Sequence, residues 1–494
     1  MPTTANLPKK LTVPGPPVNP IFGRLPMILG LGKDSIGYTR RLFENYGSVV
    51  SMTAGGGTQI YSPLPECPGT VFTYGAENVR TVTSQHEIYY KYPLSGMMYS
   101  TRNDSPRNEP LKHFGVGLFG VNGGTHRQHR QLLMPAFHKQ RIDSYRDDMV
   151  AITQSVLEQL TIDKPVDIAR VMRLLTLRIA TKTFFGSDVG EEGAKSGQIL
   201  QEALAMNGNL AIALLPLDIP GLPYHKLLNL FAELDEEMRQ LIRRKRASDE
   251  DEGDVLSMLI RARDAKTGLT LNEDELLGHA GVIFAAGHET SANALTWTLF
   301  LLSQHPQIAQ DLFDELQSVL KGEAPTVEQL QQLPLLERVI KESMRIFPPV
   351  PWNARVTSQD TELGGYELPK GTEVFVSIYQ THHMPEIYPL PEKFKPQRWE
   401  TYEPTMFEYN PFSAGSRICI GAGFAMMEIK ILLSMLLQQY RLQYIPNQTI
   451  DRFGHIVMAP KNGIKMIVRK QDNNFTQGVG GVKGNVSEMV VLPG

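Results

Sequence analysis

Cysteine is nearly missing from this chain: 494 residues contain two, Cys67 and Cys419. Far apart and in unlike surroundings, they exclude a disulfide framework and fit a reducing compartment. A dominant charge is missing as well. Lys and Arg number 49 against 52 Asp and Glu, a formal net charge of -3, so no global field draws the chain to nucleic acid. No apolar run reaches the ~18 residues of a spanning helix, and the opening residues lack the apolar core of a signal peptide. A soluble, cytoplasmic, bacterial protein without a transmembrane anchor is expected, which makes the sequons at Asn447, Asn474 and Asn485 chance matches. Repeats and dividing linkers are also lacking. Although the length would allow about three domains, one body is expected over 21–470, with a proline-rich lead at 1–20 and a glycine- and asparagine-rich tail at 471–494, mobile unless its last apolar residues dock.

What is present gathers around the second cysteine. Residues 411–423 read PFSAGSRICIGAG. Gly415 and Gly421 let the backbone fold tightly around the sulfur, and Arg417 adds a cation two residues away. The following run, FAMMEIKILLSMLLQQY, has the spacing of a half-buried helix whose positive end would face the sulfur. Such surroundings favour a thiolate, the form that binds a metal. A lone cysteine is ordinarily a small buried hydrophobe. The flanking residues point the other way.

Elsewhere the coarse pattern is mainly helical with a smaller β-rich part. Strand-like runs SVVSMT, TQIYS and TVFTY lie in 48–75, with Gly55, Gly56 and Gly57 as a hairpin turn, and EVFVSI and GIKMIV return near the end. Residues 272–304 form one long helix with Asn272 as N-cap and Glu275 completing a capping box. Its middle is weakened by Gly281, Ala285, Ala286 and Gly287, and polar His288, Glu289 and Thr290 interrupt its apolar run. Mid-helix small residues usually mean close packing, and a lone threonine usually bonds back to a carbonyl one turn earlier.

Phe412, Gly415, Arg417, Cys419 and Gly421 together resemble the haem-binding loop of the cytochrome P450 superfamily. Ala286, Gly287, Glu289, Thr290 and Ser291 resemble its oxygen-activation motif. The resemblance implies the family's mainly α fold around a buried heme b, with Cys419 as the metal ligand. It implies that Thr290 organises hydrogen bonds to dioxygen while Glu289 relays protons, with Ala286 helping to make room. Glu342 and Arg345, with Arg398 in KFKPQRW, match the family's Glu-Arg-Arg network. His126, Arg130, Arg355 and Arg417 match contacts to the haem propionates, although many relatives have tryptophan where His126 stands. Taken singly, each of these cations also fits a solvated surface.

GVGLFG at 115–120 satisfies Gly-x-Gly-x-x-Gly, yet it neither follows a strand nor opens a helix, so it is not read as a dinucleotide site. With no flavin or nicotinamide domain visible, electrons are expected from a ferredoxin or flavodoxin docked near Arg127, Lys139 and Arg141. The apolar stretch 209–225, with Met97, Met98, Phe114, Trp352 and Ile456 to Met458, suggests a pocket for a lipophilic substrate such as a fatty acid or terpenoid. Arg102, Arg107 or Lys112 would anchor a carboxylate on it. The expectation is a monomeric haem-thiolate monooxygenase. A peroxide-driven peroxygenase, which would ordinarily lack the acid and alcohol pair, and a haem sensor or carrier are the alternatives.

Overall fold

The computed structural model of the chain describes residues 10–493 apart from 65, 93–104, 114, 249–252, 455 and all but five positions of 187–215. Helix α1 (Leu25–Lys33) packs in a small cluster of its own with the sheet, and five helices position the site: α2 (Gly123–Leu133), α3 (Ile168–Phe185), α4 (Glu273–Gln304), α5 (Pro334–Ile346) and α6 (Ala422–Gln439). Helix α4 begins where its capping box dictates. The Asn272 side chain accepts from the Glu275 N–H and the Glu275 carboxylate from the Asn272 N–H, both at 2.9 Å. From there it runs through the centre of the main core. Trp297 stacks on Phe347 at 4.3 Å between ring centroids and donates its indole N–H to the Met458 carbonyl at 2.9 Å.

The weak middle of α4 is helical throughout, so the small residues do not break it. Close packing accounts for one of them. A β-carbon at Gly287 would lie 2.4 Å from the Phe184 ring of α3. A second close approach occurs at Gly278, where a β-carbon would come 2.7 Å from the Gly117 nitrogen; one at Gly117 would come 2.3 Å from the Gly278 carbonyl oxygen. One of the glycines that make GVGLFG look like a nucleotide motif, Gly117, thus meets Gly278 of α4 in a backbone-to-backbone crossing. Residues 115–120 form turns, with no strand before them and no helix inside them.

A five-stranded sheet runs in the order Val49–Ser51, Thr70–Thr73, Glu373–Ser377, Trp352–Thr357, Tyr89–Tyr90. Its first two strands pair antiparallel, Val50 opposite Phe72, and Thr70–Thr73 runs parallel to Glu373–Ser377. The long connection between the first two strands holds Gly55, Gly56 and Gly57, all at φ near +80°. TQIYS, read as a strand from its alternation, is not one. Its Ile60, Tyr61 and Ser62 N–H groups donate instead to the carboxylate of Glu373, which also accepts from the Thr70 hydroxyl. A buried carboxylate, more than 300 residues away in sequence, takes the donors that a neighbouring strand would have used.

The tail is packed, against the expectation of mobility. Val486, Met489 and Val490 are buried in the main core, and Gln304 at the end of α4 accepts from Gly480 N–H at 2.8 Å. Arg452, itself buried, reaches the Asn485 carbonyl at 2.6 Å and Asp34 at 3.1 Å, tying the tail to the beginning of the fold. Apolar residues placed among glycines were enough to dock it, because the glycines supply left-handed turns at Gly478, Gly480, Gly481 and Gly484.

Candidate functional site

The Cys419 loop is a short irregular hinge ahead of α6. Its N–H donates to the Phe412 carbonyl at 2.8 Å, closing the loop, and Gly415 turns the chain at φ +67°. A β-carbon at Gly415 would lie 2.3 Å from the Thr83 carbonyl oxygen, so both the conformation and the space require glycine. Helix α6 starts at Ala422 with Gly421 as its N-cap residue, and the Gly421 N–H bonds to the sulfur. The cysteine is accessible at its own surface, yet surrounding protein desolvates it enough to raise its pKa. It faces an interior recess rather than open solvent. The Gly421 N–H, then Arg130 and Lys91, oppose that rise. Arg417, expected to act on the sulfur, does not; its guanidinium donates to the Leu118 and Val121 carbonyls and to Asn122 Oδ1 at 3.0, 2.6 and 2.6 Å. Helix α6 is enclosed almost all round rather than half-buried.

Around the recess the cations crowd one another. Burial, then Arg355, lowers the pKa of Arg417 to about 10. Burial, then Arg355 and Arg417, lowers that of Lys91 to about 7. His126 falls to about 3 through burial and the neighbouring Arg417 and Arg130, so it stands neutral. Arg355 lies buried on its strand, with one N–H donating to the Ala354 carbonyl at 2.8 Å. Among the described residues no carboxylate pairs with Lys91, His126, Arg130, Arg355 or Arg417. Desolvated, partly buried cations that repel each other without a counter-ion among the described residues fit a ligand that brings its own negative charges. A porphyrin with two propionates and a sulfur-seeking iron meets that requirement and the accessible thiol together.

On α4, Thr290 is half-buried and donates its hydroxyl to the Ala286 carbonyl at 2.7 Å, the ordinary helical back-bond, leaving its lone pairs to accept. Glu289 beside it is half-buried, while His288 is buried, bonded through Nδ1 to the Phe284 carbonyl at 2.8 Å. Across from α4, Glu428 of α6 is wholly buried with no cation paired to it among the described residues, and the Ser291 hydroxyl lies next to its carboxyl. Burial pushes the Glu428 pKa up to about 8, against the opposing effect of the Ser291 hydroxyl. Glu428 is the group that a reading of the sequence missed; its signal was a single acid inside FAMMEIKILL.

Glu342, Arg345 and Arg398 come together. Arg345 is bidentate on Glu342 at 2.9 and 3.0 Å, Arg398 reaches Glu342 at 3.3 Å, and the Trp399 indole donates to it at 3.0 Å. Arg345 also donates to the His382 and Pro391 carbonyls, and His382 Nε2 accepts from the Asn410 N–H at 3.0 Å. Asn410 in turn accepts from Ser413 at the start of the cysteine loop. The network therefore connects to the Cys419 loop through three links.

Other expectations fare differently. Met97, Met98, Arg102, Phe114 and six positions of 209–225 lie outside the described residues. Arg107 is paired with Asp218 at 2.8 Å and Lys112 with Glu109 at 2.8 Å, so their charges are already engaged. Of the three docking cations, Arg127 is exposed, Lys139 pairs with Asp143 at 2.9 Å, and Arg141 is half-buried over the Tyr145 ring. Lys91 and Asn122 were not foreseen. Asn122 accepts from both Lys91 N–H and Arg417, a junction of segments distant in sequence that no local pattern shows.

The family model described as Cytochrome P450 matches residues 13–468. Cyclooctatin synthase of Streptomyces melanosporofaciens is 34% identical over 378 residues, 74% of this chain and 81% of that protein. Cyclooctat-9-en-7-ol 5-monooxygenase of the same organism is 32% identical over 68% of this chain and 74% of its own. Cytokinin hydroxylase of Arabidopsis thaliana is 30% identical, covering 72% of each chain. Among solved structures, the retinoic acid bound cyanobacterial CYP120A1 superposes with a TM-score of 0.76 at 27% identity, over 94% of this chain and 100% of that one.

Proposed function

The chain belongs to the cytochrome P450 family, and we propose that it is a monooxygenase placing one oxygen atom of dioxygen into a lipophilic substrate. The family makes it a P450 oxidoreductase and implies a haem, a substrate, dioxygen and a redox partner. When bound, the haem, here assigned as heme b, supplies the iron that activates dioxygen with electrons from that partner. One observation carries the reading: an accessible but desolvated Cys419 sulfur, bonded by Gly421, beside partly buried cations that no carboxylate pairs among the described residues.

Cys419 is the metal ligand. Burial holds it as a thiol, and the Gly421 N–H, Arg130 and Lys91 bring it toward the thiolate that metal charge completes. Arg130, Arg355 and Arg417, with neutral His126 donating an N–H, hold the propionates; Phe412 and Gly421 shape the loop on the sulfur side, and Ala286 lines the opposite side. Thr290 is fixed by its back-bond to Ala286 with lone pairs available to hold a proton donor, and Glu289 exchanges protons with solvent. The Glu342, Arg345 and Arg398 network holds the loop from outside. A working thiolate must stay unoxidised, so a cytoplasmic setting is part of the proposal.

For substrate, a terpenoid or fatty acid is supported by relatives named for cyclooctatin and cyclooctat-9-en-7-ol, and by a neighbour with retinoic acid bound. A ferredoxin or flavodoxin meeting exposed Arg127 is the electron donor. Absorption of the reduced, CO-treated protein tests the ligand. Wild type and Cys67→Ser should show the red-shifted band of a thiolate-bound haem and Cys419→Ser should not; a thiolate band in Cys419→Ser sinks the assignment. Thr290→Ala should retain the band but release peroxide in place of product. Full coupling in that variant would remove Thr290 from proton delivery.

A further inference from the structure

Lys91, Arg130, Arg355 and Arg417 repel one another across the recess, and no acid among the described residues pairs with them. Something else must keep them together. What fixes them is a set of neutral groups. Arg417 donates to the Leu118 and Val121 carbonyls and to the Asn122 side-chain oxygen. That oxygen also accepts from the Lys91 N–H at 2.9 Å, and the Asn122 amide donates to the Lys91 carbonyl at 2.8 Å. One side chain therefore holds both backbone groups of Lys91 and the guanidinium of Arg417. The Lys91 ammonium lies over the Phe119 ring, 4.0 Å from its centroid, which is again a neutral partner.

Asn122 is diverted from the task its position assigns. It is the N-cap residue of α2, where an asparagine ordinarily accepts from a helix N–H, yet its side chain makes no such bond. The next residue along from Lys91 is gripped in the same manner. The Tyr61 hydroxyl accepts from the Tyr92 N–H at 2.8 Å and donates to the Tyr92 carbonyl. Tyr61 is buried, and its own N–H donates to Glu373 at 2.7 Å. Glu373, the acid behind Tyr61, is spent on three N–H groups and the Thr70 hydroxyl. It brings no charge to the cations.

From this arrangement we propose that Asn122 and Tyr61 are positioning residues whose neutral groups hold Lys91 and Arg417 side by side for the haem propionates. A carboxylate at the same junction would hold the two more firmly but cancel the charge that an incoming dianion requires. A neutral amide supplies the acceptor and leaves the charge in place. The inference rests on the haem reading and adds a requirement to it, that residue 122 be uncharged. An ordinary loop tie would use the same bonds. It would be indifferent to charge at residue 122 as long as an acceptor remained there.

Transfer of haem from the full-length holoprotein to an acceptor protein, followed alongside hydrogen exchange of the Lys91 and Tyr92 amides, tests it. Asn122→Asp keeps an oxygen for the Lys91 N–H, so exchange there should stay at the wild-type rate while haem leaves at least about tenfold faster. Asn122→Ala removes the acceptor, so exchange and haem loss should both speed up. Tyr61→Phe should expose the Tyr92 amide and speed haem loss about fivefold. Tyr444→Phe also removes a buried hydroxyl, one bonded to the Gln448 carbonyl at 3.4 Å in another sheet, and should change neither reading. Wild-type haem retention in Asn122→Asp or in Tyr61→Phe overturns the proposal. Faster haem loss in Asn122→Asp accompanied by faster exchange at Lys91 overturns it too, since Asn122 would then be a loop tie alone. A wild type that takes up no haem overturns the haem reading and this one together.

Discussion

Glu428 shows what a single side chain can reveal when its environment is read closely. Unfolded, it titrates near the ordinary glutamate value of ~4.3; folded, burial takes it to about 8. Between those values the folded state holds a proton that the unfolded state has lost, so this group's contribution to stability falls as pH rises through the window and is level above it. Glu428→Gln removes the slope. Thermal melts of variant and wild type should meet near pH 4 and separate toward pH 8, the variant ahead by on the order of 2–4 kcal/mol; parallel curves would mean the acid is charged and satisfied. The same scale explains what was legible. Cys419, Arg417 and Thr290 stood in dense local patterns that the sequence displays. Lys91, Asn122 and the Glu428–Ser291 pair are defined by neighbours from other segments, and no window of the chain contains both sides.

At the scale of elements, agreement came where local chemistry decides. The capping box placed the start of α4, and apolar periodicity marked α5 and α6. Disagreement came where a distant group intervened: TQIYS alternates like a strand, but Glu373 captures its N–H groups. The smallness of Gly287 reflects the ring of Phe184 rather than a break in the helix. The cysteine loop is the element most sensitive to one added atom. Gly415→Ala would place a methyl 2.3 Å from the Thr83 carbonyl at φ +67°, which must move the loop. The expected result is a loss of more than about 1–3 kcal/mol and weakened haem retention, read by melting and by transfer of haem to an acceptor protein. Retention equal to wild type would show that the loop tolerates the shift.

For the molecule as a whole, the central surprise is how far the core extends along the chain. The match to the family ends at 468, yet Met489 is fully buried in the same core as α4. Met489→Ala should therefore lower stability by about 2–5 kcal/mol, measured as a shift in urea midpoint with unchanged slope; an unmoved midpoint would mean the tail packs without contributing. A glycine-rich composition had suggested mobility because composition does not show where three apolar side chains will land. The crossing of the 115–120 turn over α4 bears on how such a sequence can change over time. Gly117 is blocked by the carbonyl of Gly278, and Gly278 by the nitrogen of Gly117 and the carbonyl of His113. These obstacles are main chain, which no substitution can trim, and the Val282 side chain adds another at 2.7 Å from a β-carbon on Gly117. Neither glycine has a compensating partner, so descendants of this sequence can vary around the crossing but cannot trade one glycine for the other, and the middle glycine of the nucleotide-like run persists for reasons unrelated to nucleotides.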